Sequence, residues 1–188
     1  MTSAGQDEYQ ALRATIRERG TARVCIFAAG IAAWAAATIA TAALASTPVA
    51  TLLPLLVLAS VFEAVFALHV GVERIGRFLL VFHEADRSGG SGGSGQSDES
   101  SGWEHAAMAF GRPAGAATVD PLFTVPFLLA ALFNIAPALV LDPARVEIVF
   151  VAGAHALFVV RLVVARHAAS RQRAIDHERF TQMKSSAR

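Results

Sequence analysis

Residues 51–84 read TLLPLLVLASVFEAVFALHVGVERIGRFLLVFHE, and up to Val72 the stretch carries one charged side chain, Glu63. At 1.5 Å per residue a helix over this stretch would be about 50 Å long, against a hydrocarbon core of about 30 Å. It is therefore expected to cross a bilayer and to continue out of it, through Glu73, Arg74 and Arg77, as a cytoplasmic extension. An ionisable group at membrane depth costs ~2.5 kcal/mol or more, so Glu63 should face a partner, a cavity or a transported species. Ser60 precedes it by one turn and Ala67 follows by one, so that Ser60, Glu63, Ala67 and Arg74 form a stripe that could line a polar path.

Composition agrees with this reading, since 54% of residues are apolar, 16% are charged and the mean hydropathy is +0.49. Such values lie outside the usual range of soluble domains. The net charge of +1 and the lack of a basic patch with interleaved aromatics give no indication of nucleic-acid binding. Cys25 is the only cysteine, which excludes an internal disulfide or dithiol centre, and it reads as a small apolar filler.

Working outward from that stretch, three further spans are expected. Residues 24–45 carry no charge and are half alanine, with Ala28, Ala32, Ala36, Ala40 and Ala29, Ala33, Ala37 forming small-residue ridges suited to close helix approach. Trp34 reads as a packing residue within them. A short connection with Pro48 joins this span to the second, residues 49–84, as a tight hairpin. Residues 121–141 form the third span, which Pro126, Asn134 and Pro137 should kink; Asn134 could satisfy a carbonyl freed nearby. The fourth, residues 146–183, contains His155 and Arg161 and continues as a basic helix through Arg166, Arg171, Arg173 and Arg179.

Outside the spans, residues 1–20 predict an amphipathic cytoplasmic helix with an apolar edge of Tyr9, Leu12 and Ile16, ended by Gly20, and without the pattern of a cleaved signal peptide. Residues 88–102 are a flexible glycine and serine linker, and residues 103–111 a short interfacial helix. Nearly all of the sixteen lysines and arginines fall in the N-terminal segment, the middle loop and the C-terminal tail, which places both termini in the cytoplasm of a cell-membrane protein. The fold class is thus an all-α integral membrane protein, four transmembrane helices as two hairpins, with helices 2 and 4 extended into the cytoplasm and packed together.

With orientation fixed, Glu63 and Arg161 lie each about 15 residues, or ~22 Å, from the outer ends of their spans, so that they can pair across spans two and four. Asn134 and His155 sit nearer the outer half and can form a neutral hydrogen-bonded pair. His69, Glu73, Arg74 and Arg77 gather at the inner interface, where i, i+4 pairs His69–Glu73 and Glu73–Arg77 read as solvated surface. No catalytic, cofactor-binding or metal motif is present: there is no HExxH, no Cys/His cluster, no nucleophile elbow and no phosphate loop. The histidines differ in depth, which disfavours two axial ligands to one haem.

The leading expectation is a small multi-pass, non-enzymatic accessory or scaffold protein, without a cofactor, whose basic cytoplasmic face meets anionic lipid headgroups or a membrane or cytoplasmic protein. Homo-oligomerisation is also expected to be open to it. The alternative is a proton- or cation-coupled carrier using Glu63 and Arg161, and a haem-binding electron-transfer subunit comes third.

Overall fold

The computed structural model describes residues 3–44, 47–84, 121–140 and 144–186, and among these every regular element is helical. Helix α1 spans Ser3–Leu44, a 3-10 turn Pro48–Thr51 leads into α2, Leu52–Leu79, and a π turn, Leu80–Glu84, ends it. Helix α3 spans Pro121–Val140 and α4 spans Arg145–Ser186. Three helical stretches, Gly5–Leu44, Pro48–Phe82 and Arg145–Ser186, are long and apolar enough to cross a membrane, and Thr124–Ala136 is a shorter apolar one. The linker and short helix expected over residues 88–111 lie outside the described residues.

Gly20 does not end a helix. The 42 residues of α1 run through it without a break. One glycine inside a helix is unfavourable by about 1 kcal/mol, too little to halt cooperative propagation when good helix formers flank it. At the start of α4 the Glu147 carboxylate accepts a 3.0 Å hydrogen bond from the Ala144 backbone N–H, satisfying one donor at an end where an acidic group also complements the helix dipole.

The chain forms two compact units, to both of which α1, α2 and α4 contribute: an apolar unit, Ala22–Ala67 with Val119–Arg166, and a charged unit, Met1–Thr21 with Leu68–Thr118 and His167–Arg188. The core of the apolar unit joins Leu55, Leu58 and Phe62 of α2 to Phe127, Ala130 and Ala131 of α3 and Phe158, Leu162 and Ala165 of α4. One aromatic ring from each helix links the set edge to face: Phe62 meets Phe127 at 5.4 Å and Phe158 at 6.1 Å, and Phe127 meets Phe27 of α1 at 5.8 Å. Trp34 packs against this core from α1, as the sequence suggested.

Helix α1 is attached differently from the expectation. Its alanine ridges point outward, with Ala28, Ala32, Ala36 and Ala40 exposed, while Phe27, Gly30, Ile31 and Trp34 face the bundle. Exposed Cys25 is likewise no core filler. The i+4 spacing shows that small residues share a face, but larger apolar side chains on the opposite face bury more area and win the contact. Gly30 does approach closely: a Cβ built there would lie 2.9 Å from Val61 Cβ, inside van der Waals contact.

In the charged unit Tyr9, Leu12 and Ile16 are half-buried, and the Arg13 guanidinium lies over the Tyr9 ring at 5.4 Å. Phe78, Phe82 and Phe180 form a second aromatic group, with Phe78 stacked on Phe82 at 4.7 Å and edge-on to Phe180 at 5.7 Å. The Lys184 ammonium donates to the Val81 carbonyl at 2.7 Å, satisfying an acceptor in the turn that closes α2.

Glycine-to-alanine changes should separate the tight contact from open helix surface. Gly30→Ala is expected to destabilise the protein by about 1–3 kcal/mol, as overpacking does. The same change at Gly153, where nothing lies within 4 Å of the added carbon, should cause no loss. Unfolding by SDS in mixed micelles reads both, and equal effects would refute the close approach.

Candidate functional site

Polar side chains on apolar helices are the natural place to look for function, because each must be matched or neutralised. The Arg161 guanidinium forks onto the Glu63 carboxylate, with Nε 2.7 Å from Oε1 and Nη2 2.8 Å from Oε2, and its Cζ stands 5.5 Å over the Phe66 ring. The two side chains are nonetheless 48% and 42% exposed. Ser60 takes no part: its hydroxyl donates to the Leu56 carbonyl of its own helix at 2.9 Å. The stripe Ser60, Glu63, Ala67 and Arg74 is exposed along its length, so this chain does not by itself enclose a path there.

The second group is neutral and buried. Asn134 Nδ2 donates to the Thr51 carbonyl at 2.8 Å and lies 3.1 Å from His155 Nε2, while His155 Nδ1 lies 2.7 Å from the Val151 carbonyl. These contacts set one another. The Thr51 carbonyl requires the NH2 side of the amide, the second amide hydrogen then faces Nε2, and the imidazole takes the Nδ1–H tautomer that donates to Val151. Asn134 thus serves a carbonyl of another segment, the 3-10 turn before α2, and not one freed in its own helix. Its Oδ1 is buried without a hydrogen-bond partner among the described residues.

The inner-interface residues are the largest correction. His69, Glu73, Arg74 and Arg77 do not form a solvated surface strip; with Gln172, Arg173 and Asp176 of α4 they make a cross-helix network. Arg173 forks onto Glu73, with Nε 2.9 Å from Oε2. Arg77, 5% exposed, reaches Asp176, 7% exposed, at 2.9 Å, and Arg74 Nε reaches the same oxygen at 3.2 Å. Gln172 donates to the other Asp176 oxygen at 2.7 Å. The pairs visible in sequence, His69–Glu73 at 3.4 Å and Glu73–Arg77 at 3.6 Å, are the longer contacts.

Asp176 was hidden in the sequence by its setting in a basic tail, although an acid among arginines is a signal of internal pairing. Burial pushes its carboxyl up, but hydrogen bonds from Gln172, Arg77 and Arg74, with the charge of Arg74, outweigh burial and hold it below the ordinary carboxylate range. No group of three or more potential metal ligands is found among the described residues. The polar residues described here pair one helix with another and match charge with charge.

Removing one partner of the buried pair should be severe. Asp176→Asn is expected to lower stability by about 3 kcal/mol, because it takes the close carboxylate from buried Arg77 and leaves it only the longer 3.6 Å contact with Glu73. Arg74→Gln, at a half-exposed position, should lower it by under about 1 kcal/mol. Because the Asp176 pKa is lowered by folding, its contribution is complete above the ordinary carboxylate pKa of about 4 and is lost as pH falls through the folded value. Melting temperature should therefore drop more steeply on acidification below about pH 4 in the wild type than in Asp176→Asn.

Compared with protein-family models, curated proteins and solved structures, the chain matches none of them.

Proposed function

We propose that the chain is a four-span membrane protein with both termini in the cytoplasm. It acts, in this reading, as a non-enzymatic accessory or scaffold whose cytoplasmic helices present a basic surface to an acidic partner, either lipid headgroups or a protein. The observation that carries this is the division of charge along α4 in the charged unit. Arg173 and Asp176 turn inward onto α2, while Arg171 and Arg179 remain exposed. A helix held by internal ion pairs keeps the backbone positions of its outer side chains fixed, so that binding orders side chains alone, which suits a docking platform.

The parallel course of α2 and α4 supports the two-hairpin topology, since spans two and four of such a protein run the same way. In the charged unit Glu73 meets Arg173 and Phe78 meets Phe180, so residue numbers rise together on both helices there. The length of α3, 20 residues, suits a third span.

Two measurements test the proposal. In a Cys25→Ala background, Ser185→Cys should react with an impermeant maleimide only after the membrane is opened, and Thr47→Cys from outside; the reverse pattern refutes the orientation. A photo-crosslinking residue at position 171 or 179 should capture a polypeptide or an anionic lipid, with capture reduced at least about tenfold by charge reversal of the other arginine. No adduct in native membranes would overturn the scaffold reading.

The carrier reading keeps one observation in its favour, the half-exposed Glu63 carboxylate. It requires that Glu63→Gln abolish pH-dependent transport; unchanged transport with lower bundle stability would leave Glu63 a structural residue.

A further inference from the structure

The Glu63–Arg161 pair is internally matched but incomplete. The fork uses two of five guanidinium N–H donors, and among the described residues each side chain has the other as its only hydrogen-bond partner. Around it the large exposed side chains of the same two helices are apolar: Leu56 of α2 and Leu157, Val160 and Val164 of α4. In the membrane-spanning reading, on which this inference rests, the open edge of the pair therefore faces hydrocarbon, which offers no hydrogen bonds.

Two features say what covers it. Beside Glu63 the exposed residues of α2 are small, Ser60, Ala64 and Ala67, so another helix can come close enough for its polar groups to reach the carboxylate. The pair is also self-complementary. A second copy turned by 180° about an axis through the open edge brings its Arg161 to this Glu63 and its Glu63 to this Arg161, closing a ring of four alternating charges. A two-fold interface uses the same patch on both subunits, and a neutral pair of adjacent opposite charges satisfies that requirement where a lone charge would repel its copy.

We propose that the α2–α4 face carrying Glu63 and Arg161 is the interface of a two-fold homodimer within the membrane. Each Arg161 donates to the Glu63 of its own chain and to that of the second copy.

In a Cys25→Ala background, Ala64→Cys should form a covalent dimer with a short bis-maleimide in native membranes. Leu132→Cys, 66% exposed on α3, should not. Differently tagged Glu63→Gln and Arg161→Gln chains, co-expressed, should capture each other at least about five-fold more than either captures itself, the ratio expected of one cross-helix polar contact in a membrane. Equal cross-linking at both cysteines, capture without preference, or an Ala64→Cys adduct with a different polypeptide in place of the dimer overturns the proposal. The cysteine arm uses both native charges and so decides even if the glutamine variants fold poorly. Carbonate extraction of the same membranes separates the two failures: a chain that is released refutes the membrane reading, whereas one that stays but does not cross-link refutes the dimer alone.

Discussion

A charge on an apolar helix has to be met by an opposite charge from the neighbouring helix at the same level, and this constraint fixes how α2 and α4 associate. In the apolar unit Glu63 meets Arg161, and in the charged unit Glu73 meets Arg173 and Arg77 meets Asp176. Such pairs contribute little net stability, because desolvation offsets most of the attraction, but mispairing is severe. A slip of α4 by four residues would set Gln172 or Phe180 against Arg77, Ala169 or His177 against Glu73, and Leu157 or Ala165 against Glu63. Either slip leaves Glu63 and Arg77 without an opposite charge on α4, so register is specified even where net stabilisation is small.

The two units solve the polar problem in opposite ways. In the apolar unit the fully buried polar groups are neutral, Asn134, His155 and Thr51, while the charges stand at the edge. In the charged unit the reverse holds, with Arg77 and Asp176 buried as ions. The difference follows from what each site can supply. An ion is tolerable inside when several hydrogen bonds reach it, and Asp176 receives them from three side chains. Glu63 has one such partner among the described residues, and it stands at an edge where there is room for another.

Much of this was legible from composition and spacing. The apolar runs of α1, α2 and α4 stood out because long uncharged stretches are rare in soluble chains, and Glu63 could be matched to Arg161 because the positive-inside rule supplies a common origin for depth. Which face of α1 packs was not legible. Alanine ridges and the Phe27, Gly30, Ile31, Trp34 face have the same helical spacing, and only the partner surface decides between them. Nor was the continuity of α1 through Gly20, since a local breaker is weighed against cooperativity over many residues. The burial of Arg77 escaped for a related reason: i, i+4 neighbours are visible along one helix, whereas the stronger partner, Asp176, lies 99 residues away.

Aromatic and polar contacts divide the work of assembly. The edge-to-face contacts of Phe27, Phe127, Phe62 and Phe158 bring four helices together but tolerate small rotations, since ring pairs are favourable over a range of geometries. Forked arginine–carboxylate pairs and the Asn134 bridge are directional and tolerate little. Helix α1 joins the apolar unit through the first kind of contact, at Phe27, and less of its apolar stretch is buried than in α2 or α4. Shape at Gly30 adds to its hold there, where a glycine lets α1 approach Val61 closely. Within each unit α2 and α4 are joined by both kinds of contact, and both proposed interfaces are built on these two helices.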